Sequence, residues 1–118
     1  EAFARQLSQT VLRADSARRA KIHLAAVFAC NFANHMYVLG EQIARSAGLD
    51  FGVLKPLVRE TAETALDAAS PADVQTGPAV RHDLAPQERH LRLLGDDMQL
   101  KEIYTTISQH IWETSRKR

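Results

Sequence analysis

The 118-residue sequence has a single cysteine, Cys30. It can form no internal disulfide, and a reducing, cytoplasmic setting is the simplest expectation. Glycine is scarce: the five stand at 40, 48, 52, 77 and 95, in neither dinucleotide-binding nor P-loop spacing. The chain therefore has no phosphate-cradling turn of its own, and no cofactor is expected to bind it alone. No serine sits in a Gly-x-Ser-x-Gly elbow. Sustained apolar/polar alternation is missing, and so are Asn-Gly and Asp-Gly pairs, so strands and hairpins are not expected. An excess of one charge is also missing. Fifteen Lys and Arg face fourteen Asp and Glu, which excludes a strongly electrostatic nucleic-acid binder. The balance hides an asymmetry, because residues 1–59 hold 8 bases and 4 acids while residues 60–118 hold 7 and 10. Such a dipolar chain could pair with a copy of itself or with a neighbouring domain. No basic-then-apolar secretory segment opens the sequence. Its first residue is Glu, so a piece of a longer protein or a processed form is expected.

Helical spacing is what the sequence does have. At 45% apolar and 25% charged residues, the composition is that of one globular domain. Phe3, Leu7 and Val11 lie four apart and predict a first helix. Asp15 and Ser16 supply cap chemistry for a second, expected over about 17–47 and ended by Gly48. Between Leu24 and Gly40 this helix has no charged residue for 17 positions. Asn31, Asn34 and His35 within that run make a membrane span a poor reading. A buried helix, central to a bundle or to a dimer interface, fits better. Asp50 caps a third element from Leu54 to Ala69, with Pro56 separating or kinking its first turn. Residues 70–85 show no helical period, and a loop of that length in so small a domain is more often functional than idle. Pro86 suits the first turn of a short helix ending before Gly95. Asp96 and Asp97 can cap the last helix, whose apolar stripe includes Leu100, Ile103, Tyr104, Ile107, Ile111 and Trp112. The expected fold class is all-α, a bundle of about five helices.

Polar residues are out of place on the central helix. At 100° per residue from His23, Cys30 falls near about −20°, Asn34 near about 20° and Asn31 near about 80°. The four share one side over about three turns. Two asparagines in an apolar helix need partners. They either orient a ligand's carbonyl or hydroxyl, with His23 as acid or base, or tie the helix to its neighbours through buried hydrogen bonds. Cys30, with no cation near it in sequence, reads as a small buried thiol. In the loop, Thr76, Gly77 and Pro78 precede Arg81 and Asp83. Arg81 is a fixed fork suited to a carboxylate or phosphate, and Asp83 could hold it or form an ordinary surface pair with it. His82, Asp83 and His90 match no strong metal-ligand spacing, and no metal is expected.

Four segments together resemble a known family: the run His23–Phe32 (HLAAVFACNF), Leu57–Thr61 (LVRET), Thr76–Asp83 (TGPAVRHD), and His90 with Leu91. They resemble the C-terminal helical domain, of unknown function, found in a group of NAD(P)-dependent oxidoreductases with a Rossmann-like N-terminal domain. Its layout is similar to that of ketopantoate reductases, pyrroline-5-carboxylate reductases and 6-phosphogluconate dehydrogenases. The resemblance covers nearly everything from Asp15 onward. Two departures stand out, His82 where the family usually has Gly between Arg and Asp, and Cys30 where it often has Ser before Asn. The Lys-x-x-x-Asn pair of the related dehydrogenases has no counterpart, since Lys21 lies ten residues before Asn31.

The resemblance implies a domain organisation and a set of site residues. Residues 1–14 would be a linker or the last helix of a missing Rossmann domain, and residues 15–118 a helical substrate-binding and dimerisation domain. NAD(P) would bind to the full-length parent through the missing domain, and this chain alone would be inactive. His23, Asn31 and Asn34 would be the catalytic candidates, and Thr76, Gly77, Pro78, Arg81 and Asp83 the substrate-binding ones. The expected partners are a second copy, the Rossmann domain and a small-molecule substrate, with no nucleic acid and no membrane. A stand-alone helical interaction module is the competing reading. A histidine phosphotransfer bundle fits the size and the five histidines, but His23 and His35 sit in an apolar stretch, while His90 and His110 lack small and basic neighbours.

Overall fold

The computed structural model describes residues 15–118. The expected helix over Phe3–Val11 lies outside the described residues. Within them the chain is all-α, with helices α1 (Ser16–Ser46), α2 (Lys55–Asp67), α3 (Leu84–Leu93) and α4 (Met98–Arg116), and no strand among the described residues. It divides into two compact units, one ending at Pro56 and one beginning at Leu57.

Caps set the boundaries much as the residue types require. Asp15 accepts a hydrogen bond from the Arg18 amide at 2.8 Å and starts α1. At the other end Gly48 adopts φ +79°, which lets the Leu49 amide reach back to the Ala44 carbonyl at 3.0 Å. Asp50 then caps a short 3-10 turn, Phe51–Val53, through the Gly52 amide. Pro56 sits in the first turn of α2, where its missing N–H has no intrahelical partner to lose. Ser70 caps a second 3-10 turn, Pro71–Val74, and Asp97 caps α4 through the Leu100 amide at 3.0 Å. A cap of this kind contributes about 1 kcal/mol.

Two findings differ from what sequence spacing predicts. Val27–Phe32, in the middle of α1, is π-helical. A π turn closes i→i+5 bonds and holds more residues than an α turn, so each residue advances by less than the α-helical angle. Second, α1 is not a buried helix. Ala44 is its one buried residue, and Leu24, Phe28, Phe32, Met36 and Ile43 are all exposed. The reason is physical: the apolar run supplies a face to bury, but among the described residues of the first unit the Phe51–Val53 turn is what packs against it. Tyr37 meets Phe51 there, with ring centroids 6.4 Å apart. By length and composition α1 is also apolar enough to cross a membrane. Asn31, Asn34 and His35 within that stretch count against such a placement.

The second unit is organised around Trp112 and Tyr104 on α4. The imidazole of His82 stacks on Trp112 at 4.4 Å and 22°, and the Arg116 guanidinium lies 5.8 Å above the same indole. Tyr104 is 2.7 Å from Nδ1 of His90 on α3. Ala79 is buried, and Asp73 pairs with Arg118.

Candidate functional site

In the first unit, the polar strip spans the π turn. Cys30 and Asn31 lie inside it, His23 precedes it and Asn34 follows it. The reduced advance per residue alters the 100° wheel. His23 and Asn31 now fall in one row, and Cys30 and Asn34 in the adjacent one, both away from the line of Leu24, Phe28 and Phe32. All four are exposed. Cys30 is thus not the buried thiol its surroundings in sequence predict, and the asparagines form no set of core hydrogen bonds among the described residues. Exposed amides on a helix face can meet a ligand's carbonyl or hydroxyl directly.

In the second unit, the segment from Thr76 to Asp83 is a compact turn. Gly77 takes φ +105°, a conformation side-chain-bearing residues rarely adopt, and a Cβ there would meet nothing within 4 Å. The glycine is therefore needed for its backbone and not for space. Beyond it the Asp83 amide donates to the Pro78 carbonyl at 2.8 Å, and the His82 amide to the Ala79 carbonyl at 3.0 Å. The Gln87 carboxamide donates to the Asp83 carbonyl at 3.0 Å and locks the turn onto α3.

This geometry separates Arg81 from Asp83. His82, between them, has φ +53°, and Asp83 is the N-cap residue of α3, without a side-chain cap bond. Neither ion pair among the described residues involves Arg81 or Asp83, so Asp83 does not clamp the guanidinium. The Arg81 fork is exposed and available to an anion.

His82 has a part in the turn that sequence reasoning did not give it. A left-handed residue costs about 1 kcal/mol, though histidine is among the types enriched there. Stacking on Trp112 contributes a comparable amount, so the ring holds the strained turn in place. The one signal was that histidine stands where the resembling family has glycine, the residue best suited to positive φ.

Two cavities border this turn. One, of about 210 Å³, is lined by Ala79, His82, Leu91, Tyr104 and Trp112 among others. It is smaller than a usual ligand site. Burial pushes the Tyr104 phenol above its ordinary pKa, which keeps it protonated. The other, of about 350 Å³, lies between α2 and the Pro71–Val74 turn, and its lining includes Glu60, Thr61, Thr64, Gln75 and Thr76. Its size is within the usual range, and three hydroxyls, a carboxamide and a carboxylate give it hydrogen-bonding capacity. Thr61 and Thr76 come from two of the four segments that carry the sequence resemblance. The sequence pattern marked Thr76 but gave Thr61 no role. Among the described residues, no three His, Cys, Asp or Glu side chains cluster as a metal site would require.

Residues 1–111 match the family described as Domain of unknown function (DUF2520). The chain belongs to that family. The crystal structure of a "putative NADP oxidoreductase" from Bacteroides fragilis is similar to this DUF2520 chain, with a TM-score of 0.81 and 44% sequence identity. The match covers 85% of the DUF2520 chain but 38% of the Bacteroides fragilis chain. No curated protein matches it.

Proposed function

We propose that this DUF2520 chain is the substrate-binding and dimerisation domain of a cytoplasmic NAD(P)-dependent oxidoreductase, inactive without its Rossmann domain. One observation carries the reading. The turn from Thr76 to Asp83 holds a strained backbone and leaves the Arg81 fork exposed, and Thr76 at its start lines, with Thr61, a hydrogen-bonding cavity of about 350 Å³. Strained turns that present a charged group are characteristic of ligand sites. The similarity to a protein named a "putative NADP oxidoreductase", of which this chain spans 38%, supports an enzyme with a further domain.

The described residues do not fit the cofactor. The glycines at 48, 77 and 95 each serve a turn with positive φ, and none belongs to a glycine-rich turn opening a helix, which a dinucleotide pyrophosphate requires. NAD(P) is therefore assigned to the Rossmann domain. This chain's part is to bind and orient a small-molecule substrate. Arg81 takes a carboxylate or phosphate bidentately, the Thr76–Gly77–Pro78 segment shapes the turn that presents it, and Asp83 anchors that turn to α3. In the first unit, Asn31 and Asn34 orient a carbonyl or hydroxyl, and His23 is placed to exchange a proton with it.

The reading is tested by following NADPH oxidation with a panel of carbonyl compounds that carry a carboxylate or phosphate. Turnover by the full-length protein and none by the 118-residue chain is the expected result. A folded full-length protein that turns over none of the panel, and binds none of it, would support a helical interaction module instead.

A further inference from the structure

The cavity of about 350 Å³ against α2 has a chemistry that the Arg81 fork does not share. Glu60, Thr61, Thr64, Gln75 and Thr76 supply its polar lining, and Glu60 is the one charged residue among them. Neither ion pair among the described residues involves Glu60. Its neighbours at helical spacing are Pro56, Leu57, Glu63 and Thr64, none of them basic. The cavity is thus lined by an uncompensated carboxylate, which repels an anionic group.

We infer that this cavity binds the primary ammonium group of a small molecule, with Glu60 as its counter-charge. The inference rests on the proposed reading of this cavity as part of the substrate site, and it narrows the substrate to one that carries an amine.

Three further observations point to this ligand. The first is where the charges stand on α2. At about 100° per residue, Glu60, Thr64, Thr61 and Ala65 span about 140° of the helix. Lys55 and Arg59, the two bases of α2, fall about 150° and 170° from the centre of that face. Both are on the other side of the helix, and the face that lines the cavity is left negative. The second is the helix end. Thr64 and Ala65 lie in the last turn of α2, where the final carbonyls carry partial negative charge. That turn holds no basic residue and closes on Asp67, so a cation from outside is favoured there.

The third is the supply of acceptors. Nε2 of Gln75 donates to the Thr76 carbonyl at 3.2 Å, which leaves the carboxamide oxygen to accept. With the Glu60 carboxylate and three hydroxyls, the lining can receive the three N–H donors of a primary ammonium. Ala65, Pro71 and Val74 complete the cavity and give a short carbon chain an apolar surface. The volume stands at the lower end of the range for ligand sites, which suits such a molecule.

The test uses the full-length protein with its threonine methyl groups labelled for NMR. n-Butylamine, n-butanol and butyrate, matched in length, are titrated separately at pH 7, where the amine is protonated. The expected result is saturable shifts at Thr61, Thr64 and Thr76 with n-butylamine, and none with the other two at the same concentrations. Glu60→Gln should weaken the amine at least about ten-fold. Glu63→Gln removes a nearby charge that does not line the cavity and should change the affinity less than about two-fold. Glu60 is exposed, and unshifted methyl signals elsewhere would show that its variant folds. Equal shifts from n-butanol, tighter binding of butyrate, or full affinity in Glu60→Gln would overturn the inference. In the NADPH assay, compounds of the panel that bear an amino group should have KM values at least about ten-fold below those of their des-amino analogues. Turnover without that difference, and without shifts at the three threonines, would overturn the amine site and leave the oxidoreductase standing. Amine binding at the threonines with no turnover of any compound would uphold the amine site and remove the oxidoreductase reading.

Discussion

Replacing Arg81 with Ala in the full-length protein should raise KM about 10–100-fold, with a smaller fall in kcat, since a charge-assisted bidentate contact contributes about 1.5–3 kcal/mol. Its melting temperature should not move, because the side chain is exposed and joins neither ion pair of the described residues. Arg81→Lys separates fork from charge. Lysine keeps the cation but loses the planar pair of donors, so it should recover only part of the affinity. Full recovery by lysine would reduce the residue to long-range charge. Unchanged KM in both variants would remove Arg81 from the site.

Asn31→Ala should act on the other kinetic constant. A carboxamide that orients a reacting carbonyl or hydroxyl is worth more in the transition state than in the ground state. A loss of about 10–100-fold in kcat is expected, on the scale of a single lost donor at a developing charge. The side chain is exposed in its unit, so stability should change by no more than about 0.5 kcal/mol. Steady-state kinetics beside a melting curve distinguishes the two roles. A large melting loss with unchanged specific activity would return Asn31 to a structural part, tying α1 to whatever covers it.

Sequence pattern made much of the local structure legible because the relevant interactions are local. Asp15 and Asp97 cap helices as their side-chain chemistry predicts, and Gly48 ends α1 in the left-handed conformation, whereas Asp50 caps the separate Phe51–Val53 turn and Ser70, expected only to stop a helix, caps Pro71–Val74. The irregular segment after Ser70 was equally plain, from Pro71, Gly77, Pro78 and Pro86. Three features were not legible. The π turn at Val27–Phe32 has no residue signature, since it depends on how backbone bonds register along the whole helix. The left-handed His82 was visible only as a histidine in a glycine's place, and its stabilising contact, Trp112, lies thirty residues away. The exposure of α1 counts against a place at the centre of a bundle and leaves the interface alternative open, because an apolar run states that a face needs covering but not what covers it.

The candidate site divides along the same line. Arg81 and the Thr76–Gly77–Pro78 turn could be picked out by residue type. The separation of Arg81 from Asp83 could not, because it follows from the backbone angle of His82 and the start of α3. Thr61 enters only because α2 brings it to the same cavity as Thr76.

The central proposal is that this chain is one domain of a nucleotide-dependent enzyme and holds none of the nucleotide itself. Fluorescence titration of NADPH and NADH into the full-length protein, with the 118-residue chain as control, tests it most directly. Saturable binding of at least one nucleotide by the full-length protein and none by the chain is the predicted result. A folded full-length protein that binds neither nucleotide would contradict the account.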